Sequence, residues 1–128
     1  METQHFSAVK TFSRQKDHHD SALKCLRSVA QHHGKTLSLS VLRAKKSHGC
    51  GSLKDIAELA ESFGLRARCL SLSFSMLAEE VPLPCIVRWN GHGYVMVTKI
   101  VQNQIAIGTD RETVTVSSDE FCSNWLQS

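Results

Sequence analysis

The sequence contains no long apolar run. Of its 128 residues 41% are apolar, but the longest stretch is a few residues, far short of the ~20 that a membrane-spanning helix needs. It shows no secretory leader either. Residues 1–16 are mostly polar, with Phe6, Val9 and Phe12 isolated among them, so an apolar leader core is missing. Charge of one sign is scarce, with 15 Lys+Arg against 12 Asp+Glu and a net +3. That surplus is too small to imply nucleic acid. The densest basic run, Arg43-Ala44-Lys45-Lys46, holds no aromatic residue to stack on bases and reads as a solvated helix face. Five cysteines, an odd number without regular spacing, exclude a complete disulfide framework and fit reduced thiols in a cytoplasmic setting. Disorder is excluded by the ordinary apolar fraction and small net charge. What remains is one domain, able to bury roughly two-thirds of its extended surface.

The apolar residues that are present are patterned. Ala22, Leu23, Leu26, Val29 and Ala30 recur at three- and four-residue steps, predicting a helix from about Ser21 to His33, capped by Asp20 and ended by Gly34. A second, short helix carries Val41, Leu42 and Ala44 inward. A third begins at Ser52, whose spacing to Asp55 resembles a capping box, and buries Ile56, Leu59, Ala60 and Phe63 before Gly64. Arg66 to Leu72 alternates as a strand does. Phe74–Glu80 is a helical turn. The two prolines, Pro82 and Pro84, bracket a stiff connector. Strands follow at Cys85–Trp89, Tyr94–Val101, Gln104–Ile107 and Thr113–Val116, with Asn90-Gly91 as a hairpin turn. Ser117 or Ser118 caps a last helix carrying Phe121, Trp125 and Leu126. Helices first and an antiparallel sheet second make an α+β domain over residues 15–128, preceded by an extension over 1–14.

Two constellations invite a chemical reading. His18-His19 and His32-His33 flank the first helix, but 14 residues at 1.5 Å each set the pairs ~20 Å apart, too far for one metal ion. His48 and Cys50 have no second ligand pair at zinc-like spacing, so no metal is expected. The second constellation is the start of the first helix. Its dipole and open N–H groups favour an anionic nucleophile, and Ser21 stands there. Gln15, six residues earlier, is placed to donate an amide hydrogen bond to an oxyanion. Cys25-Leu26 follows one turn on. Cys25, Cys69 and Cys85 lie on apolar faces and read as small core residues. Trp89 and Tyr94 read first as packing groups, or as aromatics that grip an extended peptide.

Gln15, Cys25-Leu26, Gly34, Gly51-Ser52-Leu53, Phe63-Gly64, Leu83-Pro84, Trp89-Asn90-Gly91 and Glu120-Phe121 stand in an order that resembles family thirty-nine of the cysteine peptidases. This is the papain-like domain at the N-terminus of bacterial ABC exporters, whose catalytic members cut double-glycine leaders. The resemblance covers about Gln15 to Trp125 and implies a papain-like α+β fold. It also implies that the catalytic residues are gone. Ser21 stands at the nucleophilic Cys position, and Ala22 at the Gly that follows it. Gly93 stands at the His, and Gly108-Thr109 at the Asp-Pro pair. Only the oxyanion Gln15 is kept.

His92, one residue early, and Asp110, two residues late, are substitute base and carboxylate. Using them with Ser21 asks for three accommodations at once. A one-residue slip on a strand turns a side chain to the other face, and an un-ionised serine is a poor nucleophile without a placed base.

The favoured expectation is therefore a catalytically silent peptidase-like domain that binds or recruits an unfolded secreted protein or peptide, with Trp89, His92 and Tyr94 as candidate contacts. Its other partners are the transmembrane and nucleotide-binding domains of the same transporter, at the cytoplasmic face of the bacterial inner membrane. ATP and Mg would belong to that parent protein, since no phosphate-binding loop occurs here and no cofactor is expected in this domain. The alternatives are an active leader peptidase using Ser21 in place of Cys, and a free-standing interaction domain.

Overall fold

The computed structural model of the chain describes residues 18–45, 52–90, 93–108 and 112–126. Four helices come first: α1 (His18–His32), α2 (Leu39–Lys45), α3 (Leu53–Ser62) and α4 (Phe74–Glu80). Strands β1 (Cys85–Trp89), β2 (Gly93–Val101), β3 (Gln104–Gly108) and β4 (Thr113–Ser117) follow, then α5 (Ser118–Asn124) and the two-residue β5 (Trp125–Leu126). The sheet order is β4-β3-β2-β1-β5, with every neighbouring pair antiparallel. This is the expected α+β arrangement. No helix among the described residues is long and apolar enough to cross a membrane.

The sheet is buried on both faces, and the two-residue side-chain period sorts its residues between them. Tyr94, Met96 and Ile86 join a cluster built by Ala22, Leu23, Cys25, Leu26 and Ala30 of α1, Leu42 of α2, and Ile56, Leu59 and Ala60 of α3. Val87, Trp89, Val95 and Val97 point the other way, into a second cluster with Ile105, Ile107, Val116, Leu77 of α4 and Phe121 of α5. Phe121 anchors that side, with its ring centroid 5.5 Å from that of Trp89 and 5.4 Å from that of Trp125.

Local signals set most of the boundaries. Ser52, Ser73 and Ser117 are N-caps, each accepting a hydrogen bond from the backbone N–H three residues on. α1 and α3 end in the same motif. Lys35 N–H reaches back to Ala30 O at 2.9 Å and Gly34 N–H to Gln31 O at 3.0 Å; Leu65 and Gly64 repeat the pattern on Ala60 and Glu61.

Several expectations are corrected. α1 begins at His18, so Asp20 lies inside the helix rather than capping it, and Ser21 sits in its first turn. On α2 only Leu42 is buried, while Val41 and Ala44 face solvent. Two turns of helix touch the core along a single line, too narrow for three side chains. Arg66 to Leu72 is irregular chain, because β5 pairs with β1 at one end of the sheet and β4 forms the other, and the segment joins neither. Cys69 on that segment is exposed, not core. Trp125 and Leu126 leave the last helix to form β5, where they pair with Trp89 and Arg88. The 1–14 extension lies outside the described residues.

Candidate functional site

The site is the place where the first turn of α1 meets the start of β2. α1 lies against that strand because Ala22, Leu26 and Ala30, four residues apart, form a flat buried stripe. Ser21 and Cys25 are also one turn apart, and both reach the same strand residue. The Ser21 Oγ accepts a hydrogen bond from the Tyr94 N–H at 3.2 Å. The Cys25 thiol donates to the Tyr94 carbonyl oxygen at 3.6 Å. Tyr94 is thus held at both its backbone polar groups by two side chains of one helix.

Ser21 is 1% exposed. Its hydroxyl lies beside the peptide group joining Gly93 to Tyr94. Ser21 and Gly93, which the sequence resemblance sets at the nucleophile and base positions, are therefore neighbours in space. Yet Gly93 carries no base. Its φ of +96° is one that side-chain-bearing residues rarely adopt. The third position, Gly108, ends β3 opposite Met96 of β2 and Thr113 of β4. A Cβ built there would lie 2.6 Å from the Glu112 carbonyl oxygen and 3.0 Å from Thr113 Oγ1. The backbone around Gly108 leaves no room for a side chain there.

Gln15, His92 and Asp110 lie outside the described residues, as do His48 and Cys50. Trp89 and Tyr94 are described, and both are core residues, 1% and 5% exposed, in different clusters. Neither ring presents a face to solvent for an extended peptide. The Trp89 Nε1–H has no hydrogen-bond partner among the described residues. No group of three or more His, Cys, Asp and Glu is placed to hold a metal ion among the described residues. The Cys85 thiol, packed at the edge of the second cluster, is pushed up by burial from 9.0 to about 12. It is a neutral core group and not a nucleophile in waiting.

Sequence reasoning missed the double hold on Tyr94. The available signal was the four-residue spacing of Ser21 and Cys25, in step with the buried stripe. The crowding at Gly108 had no signal in the sequence, since it depends on how β3 returns into β4.

The chain matches the Peptidase C39 family over residues 10–128. It is a member of that family. Among solved structures, this C39 domain is similar to a double glycine motif protease from the AMS/PCAT transporter, in complex with the leader peptide. The TM-score is 0.76 at 20% identity, over 88% of this chain and 83% of that one. It is also similar to the peptidase domain of Streptococcus ComA, a bi-functional ABC transporter involved in a quorum sensing pathway. There the TM-score is 0.74 at 26% identity, over 88% of this chain and 90% of that one. Curated proteins give no match. The papain-like fold of the C39 peptidases is therefore the fold of this chain, and Ser21 lies where that fold's helix start faces its central strand.

Proposed function

We propose that this C39 domain is catalytically silent and serves an ABC exporter as a docking domain for an unfolded secreted protein or peptide. The observation that carries the reading is the state of Ser21. Its hydroxyl is buried and occupied by the Tyr94 N–H. A serine needs a positioned base to attack a peptide, and the neighbouring base position is Gly93. Gly108, at the carboxylate position, leaves no room for a side chain. Of the contacts that the sequence suggests for such a partner we retain His92, the residue before Gly93 in the chain. The rings of Trp89 and Tyr94 stay in the core. In this reading the domain works at the cytoplasmic face of the bacterial inner membrane. It is joined to membrane-spanning and nucleotide-binding domains that supply ATP and Mg chemistry.

A second reading, an active leader peptidase with Ser21 as nucleophile and His92 as base, is favoured by the two solved relatives, one named a protease and the other a peptidase domain. One experiment separates the two. The chain and its Ser21→Cys variant are each incubated with a double-glycine leader peptide, and the products are weighed by mass spectrometry. The silent reading expects intact peptide from both. Cleavage by the native chain establishes the active reading. Cleavage by Ser21→Cys alone shows that a base survives near the candidate site. Binding is measured separately, by fluorescence anisotropy of a labelled unfolded secretion substrate, because loss of chemistry leaves docking intact.

A further inference from the structure

A cluster of cations lies on the helical side of the molecule and has no part in the candidate site's chemistry. Three chain segments meet there. Lys35 follows the end of α1, and its ammonium lies 3.2 Å from where a Cβ on Gly64 would stand. Lys45 ends α2, and its ammonium sits 5.6 Å from the centroid of the Phe63 ring. Two ammonium groups from different segments are thus held against consecutive residues of a third. Arg66 and Arg68 come next on that segment. Both are exposed, alternating with the half-buried Leu65 and Ala67, which pack on the core of α1 to α3. Arg66 and Arg68 are thus the solvent-exposed residues of this stretch.

Among the described residues none of these four cations is in an ion pair. The attraction of helix C-terminal ends for positive charge accounts for Lys35 and Lys45. It leaves Arg66 and Arg68 unexplained, because they lie on no helix. Like charges gathered with no paired carboxylate raise the local potential and draw an anionic partner. Glu61, on the last turn of α3, is the acidic residue nearest in sequence to the cluster; it is exposed and has no ion pair among the described residues.

Apolar groups stand among these charges. Leu70, two residues past Arg68, is 51% exposed, and Val41, one turn before Lys45 on α2, is 47% exposed. Cations interleaved with exposed aliphatic side chains match the interface of an anionic lipid bilayer, where the charges meet headgroups and the aliphatics enter the acyl boundary. Carboxylates of a polypeptide would answer the charges alone; the exposed Leu70 and Val41 beside them favour the bilayer interface. We infer that the face formed by Lys35, Lys45, Arg66, Arg68 and Leu70 binds a membrane surface rich in anionic phospholipid.

The test is co-sedimentation of the chain with vesicles at low salt. One set is phosphatidylcholine alone and the other an equal mixture of phosphatidylcholine and phosphatidylglycerol. Sedimentation with the mixed vesicles only, reversed by added salt, is the expected result. The double variant R66Q/R68Q should weaken that binding about thirty-fold, at roughly one charge's worth of headgroup attraction per arginine. Leu70→Ser should weaken it further without changing its dependence on salt. All three substituted positions are exposed, and a far-ultraviolet circular dichroism spectrum matching the native chain confirms that each variant is folded. Failure of the native chain to sediment with mixed vesicles overturns the inference, as does unchanged sedimentation of R66Q/R68Q. Soluble polyglutamate that binds the chain as tightly as the mixed vesicles, and is indifferent to Leu70→Ser, overturns it in favour of an acidic polypeptide. The cleavage assay with leader peptide does not involve this face, so the two proposals stand or fall separately.

Discussion

At the residue scale, the proposed loss of chemistry rests on more than the substitutions themselves. A serine in place of a thiol is reversible by one atom. Gly93 and Gly108 are different, because the backbone has settled into shapes that exclude side chains. A histidine at position 93 would have to hold φ at +96°, costing about 1–2 kcal/mol. An aspartate at position 108 would press its Cβ into the Glu112 carbonyl, costing about 1–3 kcal/mol if β3 and β4 shift to admit it. The triple variant Ser21→Cys, Gly93→His, Gly108→Asp should therefore remain inactive on a double-glycine leader and should unfold at lower urea than the native chain. Leader cleavage by that variant would show the backbone to be more forgiving than this geometry implies. Ser21 itself has a structural part. Ser21→Ala removes an acceptor of the buried Tyr94 N–H and should cost about 0.5–1.5 kcal/mol. A urea titration measures this directly, and a stability unchanged by the substitution would remove the structural reason for keeping a hydroxyl there.

At the scale of elements, the sequence was legible wherever the deciding interaction is local. Ser52 caps the helix it was expected to cap, and of the two serines expected at the last helix Ser117 is the cap. The apolar stripe of α1 is buried as its spacing requires, and the strands from Cys85 to Ser117 fall within a residue or two of their alternating runs. Legibility failed where the answer depends on what lies alongside. Arg66 to Leu72 alternates like a strand, but alternation makes a strand only beside a partner with open backbone groups. Trp125 and Leu126 continue a helical pattern, but the outer edge of β1 offers hydrogen bonds and takes them as β5. The candidate site was legible in part. Chain order placed Ser21, Gly93 and Gly108 at the family positions, whereas the closeness of Ser21 to Tyr94 and the closed space at Gly108 are products of packing. Two substitutions test the local view. Ser52→Ala, which leaves the Asp55 N–H without its cap, should cost about 1 kcal/mol. Leu42→Ala empties the one buried position of α2 and should cost about 2–5 kcal/mol. Thermal melts rank the two. A larger effect at Ser52 would mean that α2 contributes little to the fold.

At the scale of the whole molecule, the sheet divides the interior into two cores that can be tested separately. The four described cysteines sample this division and none is in a disulfide. Cys25 is in the first core, Cys85 lies at the edge of the second, and Cys69 and Cys122 are exposed. Alkylation under native conditions should therefore modify Cys69 and Cys122 quickly and Cys25 and Cys85 only as the domain opens. Cys85 also ties stability to pH. Its proton leaves the unfolded chain near 9.0 but is kept in the fold up to about 12. Between those values the unfolded state binds fewer protons than the folded one, so stability falls as pH rises. The stabilisation from burying the neutral thiol is complete below pH 9.0 and is lost progressively toward about 12. The pH profile of the native chain alone does not isolate the effect. Cys85→Ala does isolate it, because that variant keeps every other titrating group. The difference in urea midpoint between the native chain and Cys85→Ala should be constant below pH 9.0 and shrink above it. A difference that stays constant through the alkaline range would show that the folded chain gives up this proton as easily as the unfolded one, and that the second core admits water at its Cys85 edge.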